Sequence, residues 1–248
     1  EKQLLSYMFR VNYDYNNKYL LTVSGRWDGA SQLAEGNKWA FFPSAALGWR
    51  LDQEEFLKDV TWLNQLKFRL GVGVTGNSAI DPYQTKGAIV SLYYPFGSAL
   101  APGYAASEPL IKDGAVAMAN KNLSWEKTTQ YNIGLDYSVL NGRISGVLDF
   151  YTSRTTDLLM AMTIPSLNGY TNTYANVGKT SNIGVDITLN TVNVKTRDFE
   201  WSTSINAAWQ KDKIDELANG KEDDINNNWF IGQALGVIYG YECGGLWK

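Results

Sequence analysis

Gly71-Val72-Gly73-Val74-Thr75-Gly76 spells the GxGxxG dinucleotide fingerprint, whose chemistry is to let backbone amides approach a pyrophosphate at the N-terminus of a helix. That helix must open directly behind the last glycine. Asn77, Ser78, Asp81 and Pro82 follow instead, a loop composition, so the glycines read as small residues at a strand end. Asp224-Ile225-Asn226-Asn227-Asn228 begins like the ligand row of a calcium-binding loop. Its sixth position, which needs Gly for a sharp turn, is Trp229, and its twelfth, which needs a bidentate Glu, is Leu235. A solvated polar loop is the favoured reading and a looser calcium site in an exposed loop the alternative, and no metal or cofactor is expected.

Catalytic groups are equally sparse. The chain contains no His, which removes a Ser-His-Asp triad and any other His-based hydrolase site. A carboxylate pair for glycoside hydrolysis survives on paper, as does Ser-Lys chemistry. Glu54 and Glu55 are adjacent and suit the start of a helical turn, where negative charge is favoured. Glu108 and Glu126 lie in or beside the longest loop, and nothing in the sequence brings them to the required separation. No catalytic residue is therefore expected, and the chain is read as a non-enzyme. With a net charge of −3 there is no basic stripe to neutralise phosphates, which argues against a nucleic-acid partner. Cys243 is the single cysteine and can form no intrachain disulfide. Asn122-Leu123-Ser124 is a formal glycosylation sequon, which carries meaning only for a chain passing through a glycosylating compartment.

What remains is the scaffold, and its pattern is strict. Tyr131, Ile133, Leu135, Tyr137 and Val139 alternate with Gln130, Asn132, Gly134, Asp136 and Ser138. Ile183, Val185, Ile187 and Leu189 alternate in the same way with Asn182, Gly184, Asp186, Thr188 and Asn190. Period two means strands with one greasy and one wet face. Strands are expected at about 5–15, 19–28, 40–51, 66–75, 128–140, 143–153, 181–193 and 200–210. Ten tilted residues cover about 25 Å, the height of the apolar band of an outer-membrane barrel. No run of 18 apolar residues offers a transmembrane helix.

The links alternate in length. Tyr15 to Tyr19, Leu140-Asn141-Gly142-Arg143 and Val194 to Asp198 are short, and 52–65 is a short link with one helical turn. Segments 29–39, 76–127, 154–180 and everything after 211 are long excursions on the opposite side. Aromatic residues gather near both ends, with Tyr13, Tyr15, Tyr19, Tyr137 and Trp201 toward the short links and Trp27, Trp39, Trp125, Tyr131 and Trp209 toward the long loops. Barrels of the bacterial outer membrane combine short periplasmic turns, long extracellular loops and two aromatic girdles. A soluble β-sandwich or solenoid would instead press the same apolar faces into a core. The chain opens at Glu1 with no export signal and closes on Gly244-Gly245-Leu246-Trp247-Lys248 with no final strand, so it is expected to be an internal piece of a longer polypeptide.

Several stretches carry a resemblance: Arg10-Val11-Asn12-Tyr13, Lys18 to Gly29, Phe42-Pro43-Ser44 with Gly48-Trp49-Arg50, Glu55-Phe56, and Leu66 to Asn77. Asn122 to Thr128, Asn132 to Asp136, Arg143-Ile144-Ser145, Asp149-Phe150-Tyr151, Asp157-Leu158-Leu159, Asn176-Val177-Gly178 and Asn182 to Asp186 continue it in order. Together, over about residues 6–245, they resemble the C-terminal barrel half of the SusC/RagA-type TonB-dependent transporters of Bacteroidetes. The resemblance implies a segment, about eight strands, of an antiparallel transmembrane β-barrel of about 22 strands with a plugged lumen. The plug domain, the TonB box and the remaining strands would lie outside residues 1–248. It also implies active import across the outer membrane, driven by the TonB complex, under a SusD-like surface lipoprotein lid.

Seven charged residues are placed in the lumen, facing water or the plug: Arg10, Arg26, Lys67, Arg69, Asp136, Asp149 and Asp186. Ligand or lid contact is placed on the loop aromatics Trp39, Tyr83, Tyr93, Tyr94, Tyr104 and Trp125. Aromatic faces beside Asn and Asp suit a glycan or oligosaccharide. A peptide importer of the same family, a passive porin and a soluble carbohydrate-binding β-module are the alternatives.

Overall fold

The structure, a computed structural model, describes all residues except 1, 87, 88, 98, 107–116, 166, 168–171, 242–244 and 246–248, and leaves out the side chains of 89–96, 100–106, 117 and 172. Its strands are β1 (Leu4–Tyr15), β2 (Tyr19–Ala30), β3 (Trp39–Arg50), β4 (Leu63–Asn77), β5 (Ile89–Phe96), β6 (Ala99–Ala106), β7 (Ala117–Met118), β8 (Glu126–Val139), β9 (Ile144–Thr156), β10 (Leu159–Thr163), β11 (Asn172–Asn176), β12 (Lys179–Lys195) and β13 (Glu200–Glu216). Eight of them form one antiparallel sheet in the order β1-β2-β3-β4-β8-β9-β12-β13, with every sheet neighbour also next along the chain once the loop strands are set aside. These are the eight long strands that alternation predicts. β5 pairs with β6, and β10-β11-β7 make a small sheet; all five sit inside segments read from sequence as loops, and the two sheets are built from excursions that carry no clean period.

Register decides which residues share a face. Ile133 pairs with Leu70 and Phe150, Phe150 with Val185, and Val185 with Trp209. One residue along, Gly134 pairs with Arg69 and Asp149, Asp149 with Asp186, and Asp186 with Ala208. The apolar and polar sets thus stay in phase across five strands, and β3, β2 and β1 continue them through Leu47–Leu70, Leu21–Leu47 and Tyr13–Leu21. Ile133, Ile187 and Leu70 are 46%, 41% and 40% exposed. Among the described residues no second sheet covers them. Every buried apolar side chain among the described residues lies at or beyond the long-loop ends of the strands, so the sheet has no core of its own, unlike a sandwich.

Aromatic rings line that apolar face. Tyr7 stacks with Trp39 at 6.1 Å between ring centroids and Phe9 with Phe41 at 6.5 Å. Both pairs reach across β2, where a Cβ on Gly25 would come within 2.6 Å of the Phe9 ring and 2.7 Å of Phe41. Glycine on β2 therefore makes the ring-to-ring contact sterically possible. Tyr13, Tyr15, Tyr19 and Trp201 are exposed at one end, and Trp27, Trp39, Tyr131 and Trp209 at the other.

The short links are tight. Asn16 and Asn17 both take a φ of 54°, and Lys18 N donates to the Tyr15 carbonyl at 3.0 Å, the mirror-image turn that matches strand twist. In the second hairpin left-handed backbone starts one residue earlier than the Asn-Gly pair suggests, running through Leu140, Asn141 and Gly142. Between β3 and β4 come two 3-10 turns, Leu51–Gln53 and Glu55–Leu57. Glu54 precedes the second, yet its side chain makes no capping bond. It accepts from Tyr19 Oη at 2.9 Å and Trp49 Nε1 at 3.0 Å, with Lys18 Nζ at 3.3 Å.

Those donations, from Trp49 first and Tyr19 second, hold the Glu54 carboxyl below the usual range. Burial pushes the neighbouring Asp52 carboxyl up, but hydrogen bonds from Arg50, Gln53 and the Leu66 amide outweigh it and leave it lowered. Folded carboxyls that hold protons less tightly than unfolded ones stabilise the turn fully above their ordinary pKa of about 4, and the contribution is lost as pH falls through the lower folded values. Pepsin at about pH 4.5 should therefore cut the 51–62 segment faster in Glu54→Gln than in the unaltered chain. Equal rates would contradict the clamp.

Candidate functional site

All seven charged residues expected in the lumen lie on the polar face by register. Three of them meet. Arg69 Nε donates to Asp136 at 3.0 Å, and its Nη2 donates to both Asp149 carboxylate oxygens at 3.1 Å. The reach from β4 over β8 to β9 needs Gly134 between them, where a Cβ would sit 2.6 Å from both the guanidinium and Asp149. Asp149 also faces Asp186 across the β9–β12 ladder, so Arg69 supplies the countercharge that two adjacent carboxylates require. Arg26 pairs with Asp28 at 2.7 Å and donates to Ser6. Arg10, Lys67 and Asp186 have no ion pair among the described residues.

Between these charges, neutral groups pair across strands. Ser24 and Ser44 hydroxyls are 2.7 Å apart, Thr22 donates to Asn12 at 2.9 Å, and Thr188 donates to Asn206 at 3.0 Å. Gly71 and Gly73 of the GxGxxG stretch stand on this face within β4, and the strand continues to Asn77 with no helix behind it. A dinucleotide has no anchor there. With Thr22, Lys67, Arg69 and Asn132, Gly71 lines a shallow groove of about 230 Å³. Such a face is chemically suited to water, polar solutes or a polar packing partner.

At the long-loop end the strands carry an ordered cap. Ala30, Leu33, Phe42, Ile80, Leu123 and Trp125 form its buried core, where β3 and β4 part beyond the Ser44–Gly73 pair and the Phe42 ring moves over Gly76. Trp125, expected in the long-loop girdle and among the ligand aromatics, is only 4% exposed. Its ring meets Phe42 edge-on at 5.3 Å, and its indole N–H donates to the Lys38 carbonyl at 2.9 Å. Asn176 ties two loops together, its amide donating to the Ser124 carbonyl at 2.8 Å while its carbonyl accepts from Ser124 N at 2.8 Å. Sequence reasoning gave Leu33, Leu123 and Asn176 no packing role; Leu123 and Asn176 entered only within the stretches Asn122 to Thr128 and Asn176-Val177-Gly178.

The other loop aromatics divide. Trp39, 45% exposed, stands on the apolar face against Tyr7. Tyr83, 66% exposed, takes a φ of 72° and lines a hollow of about 340 Å³ with Gln32, Glu35, Lys38 and Thr85. Tyr93, Tyr94 and Tyr104 belong to the β5–β6 hairpin, but their side chains lie outside the described residues. A second hollow, about 470 Å³, runs between β10 and the loop after β13, with Met160, Met162, Trp229, Glu222 and Asp223 in its walls. The calcium-like row ends in that loop as a 3-10 turn, in which Asp224 accepts from Asn227 N at 3.2 Å and Asn227 Nδ2 at 2.8 Å. Among the described residues no cluster of three or more His, Cys, Asp or Glu could hold a metal. Glu108 lies outside the described residues, and Glu126 accepts from Leu159 N at 3.2 Å.

Comparison with known proteins agrees with this geometry. Residues 3–242 match the model of the family described as TonB dependent receptor-like, beta-barrel. The chain is 41% identical over 231 residues to the TonB-dependent receptor SusC of Bacteroides thetaiotaomicron, covering 89% of this chain and 22% of that protein. It is 34% identical to the TonB-dependent receptor P3 of Formosa agariphila, over 100% of this chain and 25% of the relative. The solved RagAB peptide transporter superposes with a TM-score of 0.80 at 29% identity, over 94% of this chain and 25% of that one. A siderophore receptor from Pseudomonas aeruginosa, PirA, shares the fold at a TM-score of 0.52 and 16% identity. The chain thus spans about a quarter of the length of the curated relatives it matches.

Proposed function

The chain belongs to the TonB-dependent receptor-like β-barrel family, of SusC/RagA type and seated in the outer membrane, and from that premise we propose that it works as barrel strands and extracellular loops of an active nutrient importer. Residues 1–248 are part of one barrel domain, and the plug, the TonB box and further strands are supplied elsewhere. The observation that carries the reading is a register, shifted only near strand ends at Leu63/Gln65, Lys179/Thr180 and Val192/Val194, that puts an aromatic-rimmed apolar face on one side of eight strands and a charged, polar face on the other. Edges β1 and β13 remain open for further strands. The lumen charges, Arg10, Lys67 and Asp186 above all, are free to meet a plug domain or solute. A SusD-like lipoprotein closes the loop side, and no catalytic step is assigned.

A glycan or oligosaccharide is the proposed cargo. Tyr83 offers an open aromatic face beside Gln32, Glu35 and Thr85, and an apolar wall with a few placed polar groups is how small-solute sites are built. A peptide is the second reading, supported by the likeness to the RagAB peptide transporter. Uptake of labelled oligosaccharides and peptides by cells carrying the full transporter separates them. Tyr83→Ala should lower uptake of the true cargo by about fivefold to tenfold, the effect of one contact of about 1–1.5 kcal/mol, at unchanged surface level. Uptake that persists without the energised inner-membrane complex would identify a passive porin instead.

A further inference from the structure

The apolar face changes character toward the long loops, and only on four strands. Register places Ile133, Phe150, Val185 and Trp209 in one row, and Tyr131, Thr152, Ile183 and Lys211 in the next. The row after that holds Thr129, Arg154, Ser181 and Lys213, and the last holds Lys127, Thr156, Lys179 and Glu216. Five cations thus stand on the lipid side of β8, β9, β12 and β13, directly above the aromatic girdle. Lys179 pairs with Glu216 at 2.6 Å and Lys213 with Asp215 at 3.1 Å. Lys127, Arg154 and Lys211 are exposed and have no ion pair among the described residues. The corresponding ends of β1, β2 and β3 carry Leu5, Gly29 and Trp39.

We propose that this basic arc binds the phosphate groups of outer-leaflet lipid, with Lys127, Arg154 and Lys211 as the principal contacts. The acyl chains of such a lipid lie against Ile133, Phe150 and Val185, which carries its headgroup to the height of the cations. Continuity with the lipid-facing band fixes the occupant as a lipid, and the charge fixes its headgroup as anionic. Thr129 places a hydroxyl group between Lys127 and the cations of the neighbouring strands. The arc lies outside the barrel and is independent of the cargo.

The test uses the full-length transporter in mild detergent, titrated with phosphorylated lipid A, with dephosphorylated lipid A and with inorganic phosphate. Each cation near an anionic lipid surface is worth about fivefold in affinity. The triple variant K127Q/R154Q/K211Q should therefore bind phosphorylated lipid A at least about tenfold more weakly, and removing the phosphates should cost the unaltered protein as much. A variant at the short-link end, K58Q/K195Q, should bind as before. Equal binding by the triple variant, equal binding of dephosphorylated lipid, an equal loss in K58Q/K195Q, or full displacement by inorganic phosphate would each overturn the proposal. Should the triple variant fail to fold, the exposed single change K127Q carries the same test with an expected loss of about fivefold.

Discussion

Replacing Ile187 by lysine should cost the barrel about 2–4 kcal/mol, whereas lysine at Thr188, one residue along the same strand, should cost less than about 1 kcal/mol. Ile187 stands between Leu148 and Ala207 on the apolar face. A cation there must leave water for acyl chains, and mid-strand it is too far from either interface to reach a headgroup. Thr188 points the other way, where its hydroxyl donates to Asn206 at 3.0 Å. Lysine would lose that one bond and stay hydrated among polar neighbours. Folding equilibria of the complete barrel in lipid vesicles, measured by denaturant titration, give both numbers. Similar costs at the two positions would mean that the faces are not in different solvents.

Truncating Trp125 to alanine should remove about 3–5 kcal/mol from the cap, the usual cost of deleting a buried large aromatic side chain. The loss should stay local. Trp125 fills space among Ala30, Leu33, Phe42, Ile80 and Leu123, while the ladders of the sheet run below it. Protease cleavage in the 31–38 and 78–84 segments should rise steeply, with the strands still protected. Trp125→Phe keeps an aromatic ring against Phe42 but loses the second ring of the indole and its donor to the Lys38 carbonyl, so an intermediate cost of about 1–3 kcal/mol is expected. A cap as resistant in Trp125→Ala as in the parent would contradict the packing described.

Much of this architecture is legible in the residues because a strand between lipid and water has to alternate, and Ile183 to Asn190 does so without a break. β5, β6, β10 and β11 do not alternate cleanly, and Pro95 and Pro102 inside paired strands argue locally against strand. Trp125 shows a different limit. A tryptophan near a strand end fits an interfacial girdle and a buried cap equally well, and only the fold of Leu33 and Leu123 onto it decides. Glu54 is similar, since a carboxylate before a helical turn invites a capping role until Tyr19 and Trp49 arrive from β2 and β3. The Arg69 bridge spans 67 residues to Asp136 and 80 to Asp149. Period alone gives those three a common face, but their contact depends on ladder register and on the missing side chain of Gly134.

Collision accessibility of spin labels placed singly at Ile133, Ile187, Asn132 and Thr188, in a Cys243→Ser background of the membrane-embedded transporter, tests the central claim most directly. Labels at Ile133 and Ile187 should be relaxed by oxygen, which concentrates in acyl chains, and labels at Asn132 and Thr188 by a water-soluble nickel chelate. Relaxation by the chelate at all four positions, or the reverse assignment, would contradict a sheet with lipid on one side and an aqueous lumen on the other.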